Sequence, residues 1–386
     1  IDNQSIYDYL VFNRTDLSED TFYTQIKKIP HSSLLHLSEK GFNIKRWYNL
    51  TGRISYHPTD SNTFLELLKD AVKLRLRSDV PVGVCLSGGL DSSSIVSILI
   101  KLFSKFDLNT FSAVYGKGEP GDESPYINLY KYALPNMFFT TPTADSLYND
   151  ADSFIYAMGE PVPSTSPYAQ YKVMELAKDY VVVTLDGQGA DEQLAGYDYF
   201  FGYLFKELIY NFKLYRLFIE LYYYLKNHKS LFGFQSSLYF MLPGFVQAKL
   251  RNNALGYVNK DLQVTYLRTN RVTENLYKAN TLQNALLNHF EYKLEHLLKW
   301  EDRNSMNFSL EARVPYLDYR LVEYNLSSYS NMIINKGSTK YILREAMRKI
   351  LPEEIRTRMD KVGFETPQDK WFRTPKWQSR INDIIS

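Results

Sequence analysis

A single cysteine, Cys85, stands among the 386 residues, so no internal disulfide can staple the chain, and a reducing interior suits it. Cys85 lies in an apolar run, where a buried, unreactive thiol is the ordinary outcome. Charge of one sign is equally scarce: 45 Lys and Arg face 43 Asp and Glu, a formal net charge of +2. So even a balance gives no general electrostatic pull toward nucleic acid or an anionic membrane, and neither is expected as a partner. Long hydrophobic runs are missing too. Without about 18 uninterrupted apolar residues and without a signal-peptide pattern, the sequence reads as a cytoplasmic protein. What remains, 45% hydrophobic and 23% charged residues, is ordinary for a soluble chain long enough for one large domain or two modest ones.

The most informative stretch runs from Val80 to Val96. Val82 to Leu86 reads as a buried parallel strand, Ser87 to Ser93 as a tight glycine loop, and Ile95 to Phe103 as a helix. Gly88 and Gly89 lack a Cβ, which lets a charged group approach the loop N–H donors, and the helix adds the positive end of its dipole. Ser87, Ser92 and Ser93 supply hydroxyls, and Asp91 offers a carboxylate through which a divalent cation could bridge to phosphate. The plain alternative is a strand-to-helix turn. The loop is neither a Walker A sequence nor a dinucleotide fingerprint.

Strand and helix patterns then alternate. Thr110–Tyr115, Met137–Thr140 and Val181–Leu185 read as strands, with Ser124–Tyr132, Ala144–Met158 and Tyr168–Lys178 as helices between them. That order predicts an α/β fold, a doubly wound parallel sheet with its ligand site at the carboxyl ends of the strands. After the last of these strands comes Asp186-Gly187-Gln188-Gly189-Ala190-Asp191-Glu192. Its glycines allow another close backbone approach, and Asp191 offers a second carboxylate for a magnesium clamp on a triphosphate; an Asp-Gly turn with a helix cap is the simpler reading. Residues 200–292 predict amphipathic helices whose Tyr and Phe are mostly core rather than a stacking platform. Residues 297–318 pack many charges into helix and turn, suggesting internal ion pairs, and Lys340–Ile350 reads as a helix.

Ser-Gly-Gly-Leu-Asp-Ser at 87–92 resembles the pyrophosphate loop of the ATP pyrophosphatases (PP-loop type), which cleave ATP between the α and β phosphates. Four motifs in order extend the likeness: that loop, the 186–192 stretch with Gly196-Tyr197, Glu301-Asp302-Arg303-Asn304-Ser305-Met306 with Glu311 to Asp318, and Lys361-Val362-Gly363-Phe364 with Pro367. Over residues 55–375 the chain resembles the synthetase domain of the asparagine synthetase family. Ile29 to Ser33, with a hairpin over Ser33–Leu37 and Phe42–Tyr48, resembles the tail of that family's glutaminase domain. The resemblance implies residues 1–50 as that incomplete tail and 51–386 as the ATP-binding synthetase domain, with a helical insertion near 200–295.

It further implies adenylation of a carboxylate with release of pyrophosphate, then attack by ammonia drawn from glutamine in a glutaminase domain absent from this chain. The small-molecule carboxylate is aspartate on the plainest reading, with ATP and Mg2+ as cofactors and a homodimer as a possible state. By the same resemblance Leu86, Ser87, Gly88, Gly89, Leu90, Asp91, Ser92 and Ser93 bind the triphosphate, and Val114, Asp186 and Gly187 lie by the adenosine. Asp122 and Glu123 lie near the pyrophosphate, Asp91 and Asp191 hold magnesium, and Lys361 reaches the α-phosphate. One position departs. Established asparagine synthetases carry glutamate, and β-lactam-forming relatives tyrosine, where this chain has Gln188, whose amide cannot act as a general base. Glu301 is the first substitute. Amidation of another carboxylate, such as a sugar uronic acid or a peptide, and intramolecular cyclisation of the β-lactam or lasso-peptide type are the enzymatic alternatives. A non-catalytic nucleotide-binding protein is the alternative from another class.

Overall fold

The computed structural model describes residues 1–360 and 365–385. The chain forms two compact units. One comprises Leu65–Gln188, Leu298–Asp318 and Arg344–Ser386; the other comprises Ile1–Phe64, Gly189–Leu297 and Tyr319–Leu343.

The first unit is built on a parallel sheet, as the alternating pattern predicts. Its strands are β3 (Val82–Cys85), β4 (Asn109–Ala113), β5 (Asn136–Thr140), β6 (Val183–Leu185) and β7 (Glu311–Arg313), ordered β5-β4-β3-β6-β7. Val82 pairs with Val183 and Cys85 with Phe111, so β3 and β6 are central neighbours. From β3 the chain winds outward through β4 to β5, then returns to the other side of β3 as β6. The gap between β3 and β6 is therefore the topological switch point, where an open parallel sheet leaves a crevice at its carboxyl end. Both glycine loops leave the sheet there.

The fifth strand corrects the sequence reading, which placed residues 311–313 in helix and turn. Glu311 to Arg313 is short and charged, so it lacks the apolar run of a buried strand. It forms because β6 presents an open edge: Val183, Thr184 and Leu185 pair with Glu311, Ala312 and Arg313. One face of the sheet rests on a core of Cys85, Phe111, Val173, Met174, Ala177, Val181 and Leu310. A second core joins the helices Ala144–Met158 and Ser166–Ala177 to Trp371 and Trp377. Each large side chain buried in these cores contributes roughly 1.5–3 kcal/mol.

The second unit is mainly helical. Its first helix, α1 (Asn3–Phe12), places Tyr7, Val11 and Phe12 in one core with Ala248, Val258, Val272 and Leu276. Tyr7 Oη accepts a 3.0 Å hydrogen bond from Asn252 Nδ2. The hairpin forms as expected: β1 (Ser33–Ser38) pairs antiparallel with β2 (Gly41–Arg46), and Leu37 and Phe42 stay exposed. The helix Phe200–Tyr210 is the buried axis of the unit, with Phe200, Phe201, Tyr203, Leu204 and Phe205 fully covered. The expectation that the aromatics of this region are mostly core fails on the helices that follow. Phe212, Tyr215, Phe218, Tyr222, Phe232 and Phe245 are all exposed.

Candidate functional site

The loop after β3 is shaped by its own side chains. Leu86 donates its N–H to Phe111 O at 2.9 Å, and its carbonyl accepts from Ser112 Oγ at 2.6 Å, which fixes where the strand ends. Ser92 Oγ accepts the Ser87 N–H at 3.2 Å, and Ser87 Oγ accepts the Gly89 N–H at 3.3 Å. Those two hydroxyls, 3.0 Å apart, therefore close the turn as well as line it. Gly88 has φ +83°, and a Cβ there would meet the Glu123 carbonyl at 3.1 Å; only glycine accepts both constraints. The helix α3 spans Leu90–Phe103 and starts with Gly89 as its N-cap, earlier than the expected Ile95. Leu90, Asp91 and Ser92 thus lie in its first turn, where N–H groups have no partner along the helix, and Ser93 makes the first helical bond, its N–H to Gly89 O at 3.1 Å. The Ser93 Oγ is buried without a hydrogen-bond partner.

The loop after β6 packs directly on that turn. A Cβ on Gly187 would lie 3.1 Å from both Asp91 Cβ and Ser92 N, so the absent side chain permits the contact. Asp186 turns back to accept the Gly187 N–H at 2.6 Å. Beside these loops a pocket runs from Leu86 and Ser87 past Ala113 and Tyr115 to Glu123 and Glu365. Val114, the residue after β4, gives its N–H to Thr140 O at 2.9 Å. The Tyr115 hydroxyl is buried without a partner, and burial raises its pKa.

Asp122 and Glu123 are adjacent in sequence and differ in setting. Asp122 Oδ1 accepts from the N–H groups of Tyr115 (3.3 Å) and Ser124 (3.4 Å), closing its own loop. Glu123 is buried and salt-bridged to Arg358 at 2.6 Å. Burial outweighs the guanidinium's pull and lifts the Glu123 carboxyl to about 7. Arg358 also donates to Gly88 O at 3.3 Å and to Asp360 Oδ2 at 2.8 Å, and its guanidinium lies 3.8 Å from the Tyr126 ring centre. One side chain therefore ties the glycine loop, the acidic loop and the segment just before Lys361. Lys361 itself lies outside the described residues.

A second polar cluster gathers around Asp186, the residue after β6. Glu301, on the helix Leu294–Asn307, is buried with neither carboxylate oxygen hydrogen-bonded. Burial raises its pKa well above the usual range, and the nearby Asp186 carboxylate raises it further. Asp186 is raised too, by burial, though the Gly187 N–H supports its charge. Asp186 thus has a bonded N–H that favours its charge, and Glu301 has none. Asn304 Nδ2 donates to Pro167 O at 3.0 Å and Gln170 Oε1 at 3.3 Å, while Gln170 Nε2 and Asn304 Oδ1 are left without partners. Buried polar atoms with open valences call for water or ligand atoms. Gln188 is half-buried at the end of this unit.

Asp191 belongs to the helical unit, where Lys340 Nζ lies 2.6 Å from its Oδ1. Its neighbour Glu192 accepts from Tyr197 Oη at 2.6 Å, and the buried Lys293 stands 3.7 Å from Glu192. Among the described residues no group of three or more His, Cys, Asp or Glu side chains could hold a metal on its own. Magnesium needs only one or two carboxylates and takes its remaining ligands from phosphate and water. Asp91 lies in the first turn of its helix, and Asp191, in the other unit, is paired with Lys340; each carboxylate is by itself a hard oxygen donor of the kind that ion takes.

An asparagine synthase family model matches residues 63–386. The chain belongs to the asparagine synthase family. Among curated relatives, it is 29% identical over 350 residues to asparagine synthetase [glutamine-hydrolyzing] 3 of Bacillus subtilis, covering 86% of this chain and 53% of that protein. It is 25% identical over 412 residues to asparagine synthetase [glutamine-hydrolyzing] 1 of the same organism, covering 97% and 60%. Amidase chry2 of Gibberella zeae is 24% identical over 368 residues, covering 83% and 54%. The chain thus spans about half the length of these asparagine synthase relatives.

Within this family member, sequence reasoning gave no role to Arg358, Tyr115, Gln170 and Asn304, which neighbour the candidate residues of the sheet unit, or to Lys340, which neighbours Asp191 in the helical unit. Arg358 and Lys340 come from chain segments far from their partners, and only a three-dimensional contact reveals them. The sequence reading expects internal ion pairs across 297–318, whereas Asn304 in that stretch makes neutral hydrogen bonds.

Proposed function

We propose that the chain is the synthetase part of an ATP-dependent amide-forming ligase. A carboxylate oxygen attacks the α-phosphorus of ATP, pyrophosphate leaves, and ammonia then attacks the acyl carbon so that AMP departs and an amide remains. The observation that carries this reading is the meeting of the 87–92 loop and the 186–188 loop at the sheet's switch point. In the proposal residues 1–50 are the tail of a glutaminase-like domain and residues 51–386 the synthetase domain with its helical insertion. Glutamine-derived ammonia reaches it from a glutaminase domain outside these residues.

The residues divide the work as follows. Leu86 to Ser93 receive the triphosphate, with the N–H groups of Leu90, Asp91 and Ser92 at the helix start and the α3 dipole facing its charge. The pocket lined by Ala113 and Tyr115 takes the adenosine, near Val114 and Gly187, and Asp186 joins the residues that bind ATP. Asp91 and Asp191 would hold Mg2+, which offsets triphosphate charge when bound. Glu123, kept in place by Arg358, sits on the pyrophosphate side with Asp122. Lys361 stabilises charge at the α-phosphate and at the tetrahedral carbon.

Gln188 cannot take the proton of the attacking nitrogen, so the Asp186–Glu301 pair does. It holds one negative charge and one proton, and its ionised member accepts the second proton as the C–N bond forms. Aspartate, giving asparagine, is the leading substrate. Gln188 and the open polar valences of Gln170 and Asn304 favour a second reading, a different carboxylate or an internal amine. The test is oxygen transfer: with an 18O-labelled carboxylate, one label must appear in AMP. Label confined to the carboxylate and amide would overturn adenylation.

A further inference from the structure

The near-neutral balance of the whole chain conceals a strongly one-sided segment. Between Asp198 and Asp261 the only acidic residues are Glu207 and Glu220, and both are buried. Glu207 accepts the Leu282 N–H at 2.8 Å and Ser330 Oγ at 3.1 Å; Glu220 accepts the N–H groups of Lys336 (3.1 Å) and Gly337 (3.0 Å). Their charge is spent inside. The basic residues Lys213, Lys226, Lys229, Lys249 and Arg251 are exposed. The outer face of this segment therefore shows solvent positive charge only.

The same face is apolar. On the helix Leu214–His228, Leu214, Phe218, Tyr222 and Leu225 are exposed at spacings of four, four and three, which puts them on one stripe. Phe218 is 69% and Tyr222 62% exposed, although such rings are normally covered. The opposite stripe supplies the packing: Tyr224 is fully buried, 4.6 Å from the Phe201 ring, and its hydroxyl oxygen accepts the Gly233 N–H at 2.9 Å. On the next helix, Phe232–Met241, the pattern repeats. Leu231, Phe234, Leu238 and Leu242 are exposed, while Gly233, Ser236, Ser237 and Phe240 face the Phe200–Tyr210 helix. The core between these helices is already filled, so the outer stripes add nothing to it.

We infer that the face formed by the helices Leu214–His228 and Phe232–Met241 docks on an anionic lipid bilayer, with Phe218 and Tyr222 in the interface and Lys213, Lys226 and Lys229 over the headgroups. A helix with an apolar stripe of Phe, Tyr and Leu flanked by lysines lies in the plane of such an interface, and exposed lysines are drawn to the negative surface of anionic lipids. Charge is what selects this occupant. A second copy of the same face would set lysines against lysines with Asp198, 3.9 Å from His228, as the one exposed carboxylate among the described residues beside the first helix, whereas an anionic headgroup layer supplies the missing sign. No helix among the described residues is long and apolar enough to cross a membrane, so the contact is peripheral. The inference stands apart from the reading of the ATP loops.

Vesicle flotation of the 386-residue chain tests it, with phosphatidylcholine vesicles against vesicles of three parts phosphatidylcholine to one part phosphatidylglycerol, at 0.1 M and 0.5 M NaCl. Binding at least ten-fold stronger to the anionic vesicles, and reduced several-fold by the higher salt, is expected. Phe218→Glu/Tyr222→Glu and Lys226→Glu/Lys229→Glu should each lose ten-fold or more of that binding and melt at the parent's temperature, because all four side chains are outside the core. Equal binding to both vesicle types would overturn the inference. So would undiminished binding by either variant, or a dimer in sedimentation that both variants dissolve while the parent stays off the vesicles.

Discussion

Replacing Arg358 with Met removes the cation from Glu123 without a large change in volume. The Arg358 contacts do not weigh equally. Asp360 is more than half exposed, and an ion pair in that setting contributes at most about 1 kcal/mol. Glu123 is buried, and stripping one partner from a buried pair costs roughly 3–5 kcal/mol, because the remaining charge is left without water or a counter-ion. The buried arm should dominate, so Arg358→Met is expected to lose about that much stability in urea denaturation. Glu123→Gln, which leaves Arg358 its contacts to Gly88 O, Asp360 and Tyr126, should lose less. In the double variant the orphaned carboxylate is gone, and much of the Arg358→Met loss should be recovered. A double-mutant cycle reads the coupling directly. Additive losses, with a coupling below about 0.5 kcal/mol, would show that the pair does not organise the two loops.

Glu123 also makes stability depend on pH. Its carboxyl titrates near 7 in the folded chain against about 4.3 in an unfolded one. The folded state therefore holds a proton that the unfolded state has released, and stability falls as pH rises from about 4 to 7. The urea midpoint of Glu123→Gln should gain on the parent across that range; a constant difference would contradict the burial argument. Gly187→Ala brings a Cβ within 3.1 Å of the first turn of α3, and calorimetry should show ATP affinity down ten-fold or more with the melting temperature little changed. Glu301→Gln keeps the shape and breaks up the Asp186–Glu301 pair that takes the proton of the attacking nitrogen, so amide formation should fall at least 100-fold while adenylation persists; equal loss of both steps would mean that Glu301 serves the fold. Lys361→Ala should leave a folded, ATP-binding protein that releases almost no pyrophosphate, and a melt far below the parent would contradict its assignment to the reaction.

The parallel sheet was legible because its inner strands are short apolar runs spaced by helices, a local pattern. β7 was not, since Glu311-Ala312-Arg313 becomes a strand through pairing with β6 and has no signal of its own. The glycine loops could be read for the same local reason: strand, glycines and helix follow one another directly. Ser92 shows the limit of such a reading, for its hydroxyl spends part of its capacity on the Ser87 N–H. Arg358 meets Glu123 only after the chain has closed on itself, and no spacing rule reaches that far. In the helical region, periodicity found the helices and then misassigned their outward aromatics, because an amphipathic pattern cannot say whether a second apolar stripe is covered.

The central claim is carboxylate activation coupled to amide formation. Its most direct measurement is magnesium-dependent pyrophosphate release from ATP with ammonium chloride, with and without aspartate, and with asparagine quantified in the same reactions. The account predicts pyrophosphate, AMP and asparagine in equal amounts, and little of any without aspartate. Pyrophosphate formed equally without aspartate or ammonium, from a protein that binds ATP, and with no amide product, would contradict it.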